Sequence, residues 1–169
     1  MNAMSSVVSK KQLLPHPELS TAVGHVVRQC SNLEGLLSIF IGDLIGAGKE
    51  IGQIITAGLS FKALSSLLSL LFRHRVNNNT TIDKLDKLLQ RAQAMQDRRN
   101  QIVHATWTAH DQPNVFSRMK MARGAKGLRR DHEMLDLDKL ETEIEKMQTI
   151  VNDLALFLFE HVGQYSKKK

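Results

Sequence analysis

The chain carries one cysteine, Cys30, among 169 residues. No intrachain disulfide can form, and no multi-cysteine zinc site can be built. Prolines number three and aromatics make up 5% of the chain, so leucine and isoleucine must fill its core. With few helix breakers and few of the aromatic residues that favour strands, helices are expected over a β-sandwich. No apolar run reaches the length of a membrane span, because Asp43, Lys49, Glu50, Lys62 and Arg73 interrupt the greasy stretches. Residues 1–14 lack the sustained apolar core and cleavage pattern of a signal peptide. A reducing cytoplasm is the expected setting, with no membrane partner. There is no Gly-x-Ser-x-Gly elbow, no His-Glu-x-x-His and no cluster with metal-ligand spacing, so neither metal nor cofactor is expected. Gly48-Lys49 invites a phosphate-loop reading that fails. The glycine needed five residues upstream is Asp43, and Glu50 stands where Ser or Thr should hold magnesium.

The length suits one domain, and 42% hydrophobic with 24% charged residues is an ordinary globular composition. Net charge is +6 with a pI near 9.6. Arg118, Lys120, Arg123, Lys126, Arg129 and Arg130 crowd one segment with no acid among them, and Lys167-Lys168-Lys169 closes the chain. Clustering of this kind suits a polyanion such as RNA, the alternative being a solubilising surface.

Residues 1–15 read as a flexible N-terminal arm and residues 16–169 as a single domain. Pro17 suits a first helical turn, with Glu18 complementing the dipole. Leu19, Val23, Val26, Cys30, Leu33, Leu37, Phe40 and Leu44 then recur at helical spacing. A glycine-rich stretch follows and reads as a linker. Ser60 is the expected N-cap of a second helix burying Ala63, Leu64, Leu67, Leu68 and Leu71. Asn77-Asn78-Asn79 is a turn, and Thr80 with Asp83 forms a capping box for a third helix. The segments Thr106–His110 and Val115–Met121 alternate like strands around a turn at Asp111-Gln112-Pro113-Asn114, predicting a β-hairpin. Trp107 and Phe116 on it could stack on bases, or Trp107 could pack on the bundle end. Gly124-Ala125-Lys126-Gly127 reads as a second turn. Asp136 or Asp138 caps a last helix with Leu140, Ile144, Met147, Val151, Leu154 and Leu158 as its stripe. Ile150, Phe157 and Phe159 make its second half apolar all round, which favours a homodimer. The expected fold is all-α: a four-helix up-down bundle with a short β-hairpin between the third and fourth helices.

The third helix carries the most telling stretch. Ile82, Leu85, Leu89, Ala92, Met95, Arg99 and Ile102 lie on one stripe, apolar at every step but Arg99. A guanidinium there must be paired or must line a wet cleft. Otherwise it snorkels from the edge of the core. Asn100 and His104 stand one turn apart beside it. Arg99 and His104 are five residues apart, about 140 degrees around an ideal helix. They meet only if the helix ends or bends there, or if a second copy supplies one of them.

Arg99-Asn100-Gln101-Ile102-Val103-His104, closing the third helix of a small bundle, resembles the Arg-Asn-x-x-x-His signature of the HEPN superfamily. The resemblance implies a metal-independent endoribonuclease, acting as a homodimer and serving as a toxin or antiviral defence effector. An antitoxin protein would then be a further partner. It implies catalysis by Arg99, Asn100 and His104: imidazole moves protons, guanidinium steadies the phosphorane, and Asn100 holds His104 or phosphate. Arg98, Arg118, Lys120 and Arg123 are the expected substrate-binding cations. Glu34, on the first helix, is the candidate acid for orienting the arginine; the alternative is a solvent-facing residue. The competing functional reading is a non-catalytic dimeric nucleotide- or RNA-binding module or scaffold.

Overall fold

Most of the expected apolar positions turn inward, and Leu33, Leu37, Leu68, Leu85, Leu154 and Leu158 are buried in one core; in the helix after Ser60, Phe61 and Phe72 are buried while Ala63, Leu67 and Leu71 are half-buried. The computed structural model describes residues 16–124 and 127–163, without the side chains at 122–124. The expected N-terminal arm, Lys126 and the C-terminal lysines lie outside the described residues. The order is α1 (Pro17–Ile45), α2 (Gly48–Thr56), α3 (Phe61–Arg75), α4 (Asn79–Val103), β1 (Thr106–Ala109), β2 (Val115–Gly124), β3 (Gly127–Asp136) and α5 (Leu137–Val162).

α2 replaces the linker expected after the first helix. Its glycines are a contact rather than punctuation. A Cβ on Gly52 would lie 2.7 Å from the Gly42 Cα, so only glycine lets α2 sit this close to α1. That contact aims the Gly52–Thr56 side of α2 inward and leaves Ile54 74% exposed. α2 also changes the topology. It carries the chain back along α1, from Gly42 towards Ser38, before α3 begins. α3 then ends beside the end of α1, where Arg75 Nε donates to the Leu44 carbonyl at 3.1 Å. Gln29 meets Gln148 and Phe40 meets Phe159, so α5 runs with α1. α4 opposes them, pairing Ser69 with Asp86 on one flank and Arg91 with Asp153 on another. α1, α3 and α5 therefore share a direction, so the four long helices do not alternate as expected; the short α2 supplies the reversal between α1 and α3.

The caps explain the helix starts. Ser60 accepts from the Ala63 amide, as expected. Asn78 rather than Thr80 caps α4, accepting from the Thr81 amide at 3.1 Å. Asparagine is among the strongest capping residues, ahead of threonine, so Asn78 serves in place of Thr80. Asp136 caps α5 by accepting from the Lys139 amide at 2.8 Å.

The expected hairpin is two strands of a three-stranded antiparallel sheet ordered β1-β2-β3. β3 pairs with β2 from Gly124↔Gly127 to Val115↔Asp136. The run Arg129-Arg130-Asp131-His132-Glu133 is polar at successive positions, so hydropathy gives no alternation to mark it as a strand. Trp107, Arg118 and Glu133 stand opposite one another across the three strands on the face turned towards the helices. The sheet leaves the bundle at the end where α4 stops and α5 begins.

Candidate functional site

α4 ends at Val103, and His104 is its C-cap with φ −98° and ψ 24°. Leaving the helical path at this residue removes the separation an ideal helix would impose. Arg99 Nη1 donates to Asn100 Oδ1 at 3.0 Å and lies 3.5 Å from His104 Nε2. With Nε2 as acceptor, the ring carries its proton on Nδ1. Three expected catalytic side chains therefore converge within one chain. Asn100 holds the arginine rather than the histidine. His104 is exposed and Arg99 half-buried, at the rim of the core rather than inside it. Among the described residues, no carboxylate is ion-paired with Arg99.

Glu34 lies one turn further along the α1–α4 seam. It accepts from Gln96 Nε2 at 3.2 Å and is half-buried, not solvent-facing. It touches Gln96 and not Arg99. Both charges act on Cys30: burial pushes its thiol from 9.0 to about 11, with Arg99 opposing the rise and Glu34 adding to it.

The other expected cations divide. Arg98 is occupied by acids: it donates to both oxygens of Glu133 and both of Glu143, at 2.7 to 3.1 Å. Burial alone would lower this guanidinium, but hydrogen bonds to Glu143 and Glu133 raise it above its ordinary value. Arg118 is 2% exposed and pairs with Asp131 at 3.0 Å and Glu133 at 2.9 Å. Arg98 is half-buried and Arg118 enclosed, and acids of β3 and α5 match the charge of both. Lys120 Nζ donates to the Asn100 carbonyl at 2.9 Å, beside the Arg99 cluster. Arg123 lies in β2, with its side chain outside the described residues.

Asp131, Glu133 and Glu143 escaped the sequence reading. Asp131 and Glu133 alternate with Leu135 on one strand face, a signal legible only once β3 is recognised as a strand. The Arg98 hydrogen bonds hold the Glu133 carboxyl below its ordinary range against burial, and the Arg118 hydrogen bond does the same for Asp131. Phe116 is buried and unavailable for stacking. Trp107 is half-buried and packs on the bundle end, its indole N–H donating to the Ile102 carbonyl at 3.0 Å. Among the described residues, no three His, Cys, Asp or Glu side chains come together as metal ligands, and no helix is long and apolar enough to cross a membrane.

No protein-family model, no curated protein and no solved structure matches this chain.

Proposed function

We propose that this chain is a metal-independent endoribonuclease of the HEPN type, cytoplasmic, acting as a toxin or defence effector. The observation that carries the reading is the 3.5 Å approach of Arg99 Nη1 to His104 Nε2, beside Asn100. In RNA cleavage of this class the 2′-oxygen attacks phosphorus while its proton is removed. The bond to the 5′-oxygen breaks, and that oxygen takes a proton. The products are a 2′,3′-cyclic phosphate and a 5′-hydroxyl. His104 suits either proton transfer near neutral pH. Arg99, without a carboxylate partner among the described residues, suits the charge that builds on the phosphorane oxygens. Asn100 orients Arg99, and Lys120 adds a second cation at the same turn.

In a concerted step one imidazole cannot easily be base and acid at once. A homodimer placing two His104 residues in one cleft supplies both. Leu156 and Phe159, 70% and 64% exposed near the end of α5 away from His104, are further apolar surface that a second copy can cover.

The test is cleavage of mixed RNA in EDTA by wild type, His104→Ala and Arg99→Ala. Wild type is expected to leave cyclic phosphate ends, and both variants to leave the RNA intact at unchanged helicity. RNA retained by wild type without cleavage would favour the non-catalytic binding module.

A further inference from the structure

The last carbonyls of a helix have no partner within it. At the end of α4, three of them take donors from the inward face of the sheet. Lys120 Nζ reaches the Asn100 carbonyl, Arg118 Nη1 the Gln101 carbonyl at 3.3 Å, and Trp107 Nε1 the Ile102 carbonyl. These peptides belong to the turn that carries Arg99, Asn100 and His104. The sheet is therefore the C-terminal cap of α4.

The middle donor, Arg118, is almost fully enclosed and depends on acids for its placement. Asp131 bonds Arg118 only, and Glu143 bonds Arg98 but not Arg118. Among the acids of the described residues, Glu133 alone accepts from both, from Arg118 Nε at 3.1 Å and Arg98 Nη1 at 2.7 Å. It grips the turn twice, through the backbone by way of Arg118 and through the side chain of Arg98.

We infer that Glu133 is a positioning residue for the Arg99–Asn100–His104 turn, acting through Arg118 and Arg98 without touching substrate. Its activity arm rests on the ribonuclease reading; its spectroscopic arm does not.

Glu133→Gln keeps the shape of the side chain and removes its charge. Its kcat for RNA cleavage falls about tenfold or more while KM stays within about twofold, because the reacting groups are misplaced rather than lost. The ring resonances of His104 in histidine-labelled protein shift, and helicity is unchanged. Arg91→Ala is the control. It breaks the exposed Arg91–Asp153 pair, which also ties α4 to α5, and leaves both readouts as in wild type. Unchanged His104 resonances and kcat in Glu133→Gln overturn the inference, as does an equal response in Arg91→Ala. If wild type itself cuts no RNA, the ribonuclease reading falls and the resonances alone decide. If Glu133→Gln fails to fold, Glu133→Asp, which retains the charge on a shorter stem, takes its place. A shifted His104 ring then supports the inference and an unshifted one overturns it.

Discussion

Arg98 and Arg99 are neighbours in the chain with opposite surroundings. Arg98 lies between two carboxylates, Glu133 and Glu143, whereas Arg99 faces an amide oxygen and an imidazole. One guanidinium ties β3 and α5 to α4, and the other has no carboxylate partner among the described residues. Arg98→Ala is expected to lower stability by about 2 kcal/mol, since two carboxylates lose their shared cation at a half-buried site. Arg99→Ala is expected to stay within about 0.5 kcal/mol of wild type while cleavage is lost. Urea titrations alongside the RNA assay separate the two.

The carboxylates around Arg98 and Arg118 make stability depend on acid. Glu133 and Asp131 are both held below their ordinary values in the folded chain, Glu133 chiefly by the Arg98 hydrogen bonds and Asp131 by the Arg118 hydrogen bond. In the acid range the unfolded chain binds more protons than the folded one, so stability rises with pH there. This contribution is complete above the ordinary glutamate value of 4.5 and is lost as pH falls through the lower folded values. Glu133→Gln should flatten the decline of the urea midpoint between neutral and acid pH. An equally steep decline in that variant would place the acid sensitivity elsewhere.

Gly52→Ala tests the contact that defines α2. The new methyl would stand 2.7 Å from the Gly42 Cα, which is backbone and cannot swing aside. Forcing such contacts apart costs about 1–3 kcal/mol. Thermal unfolding should show this loss. Gly35→Ala, where a Cβ meets nothing within 4 Å, should show none.

Asn78→Ala removes the N-cap of α4 and is expected to cost about 1 kcal/mol. Thr80→Ala should be close to neutral, since the Thr81 amide is held by Asn78 and not by a box starting at Thr80. Chemical denaturation of the two variants side by side decides between the caps.

Much of the fold was legible in the residues. The stripes of α1, α4 and α5 turn inward as their spacing demands, from Leu33 and Leu37 to Leu154 and Leu158, whereas α3 buries Phe61, Leu64, Leu68 and Phe72 and leaves the expected Ala63, Leu67 and Leu71 half-buried. The clustering of Arg99, Asn100 and His104 was legible on the condition that the helix ends at His104, and it does. The third strand was not, because its register is set by pairing with β2 and its own polar run Arg129–Glu133 shows no alternation. Nor were the roles of Arg98 and Arg118, whose partners lie 45 and 15 residues away.

The order of residues by itself determined which helix faces turn inward and where an arginine breaks an apolar stripe. Periodicity is local, and burial follows it whatever the neighbours. Tertiary structure decided which cations are matched by acids and which, like Arg99, are not. Those pairings depend on distant segments meeting, and a charge 2% exposed, like that of Arg118, must be matched where it lies.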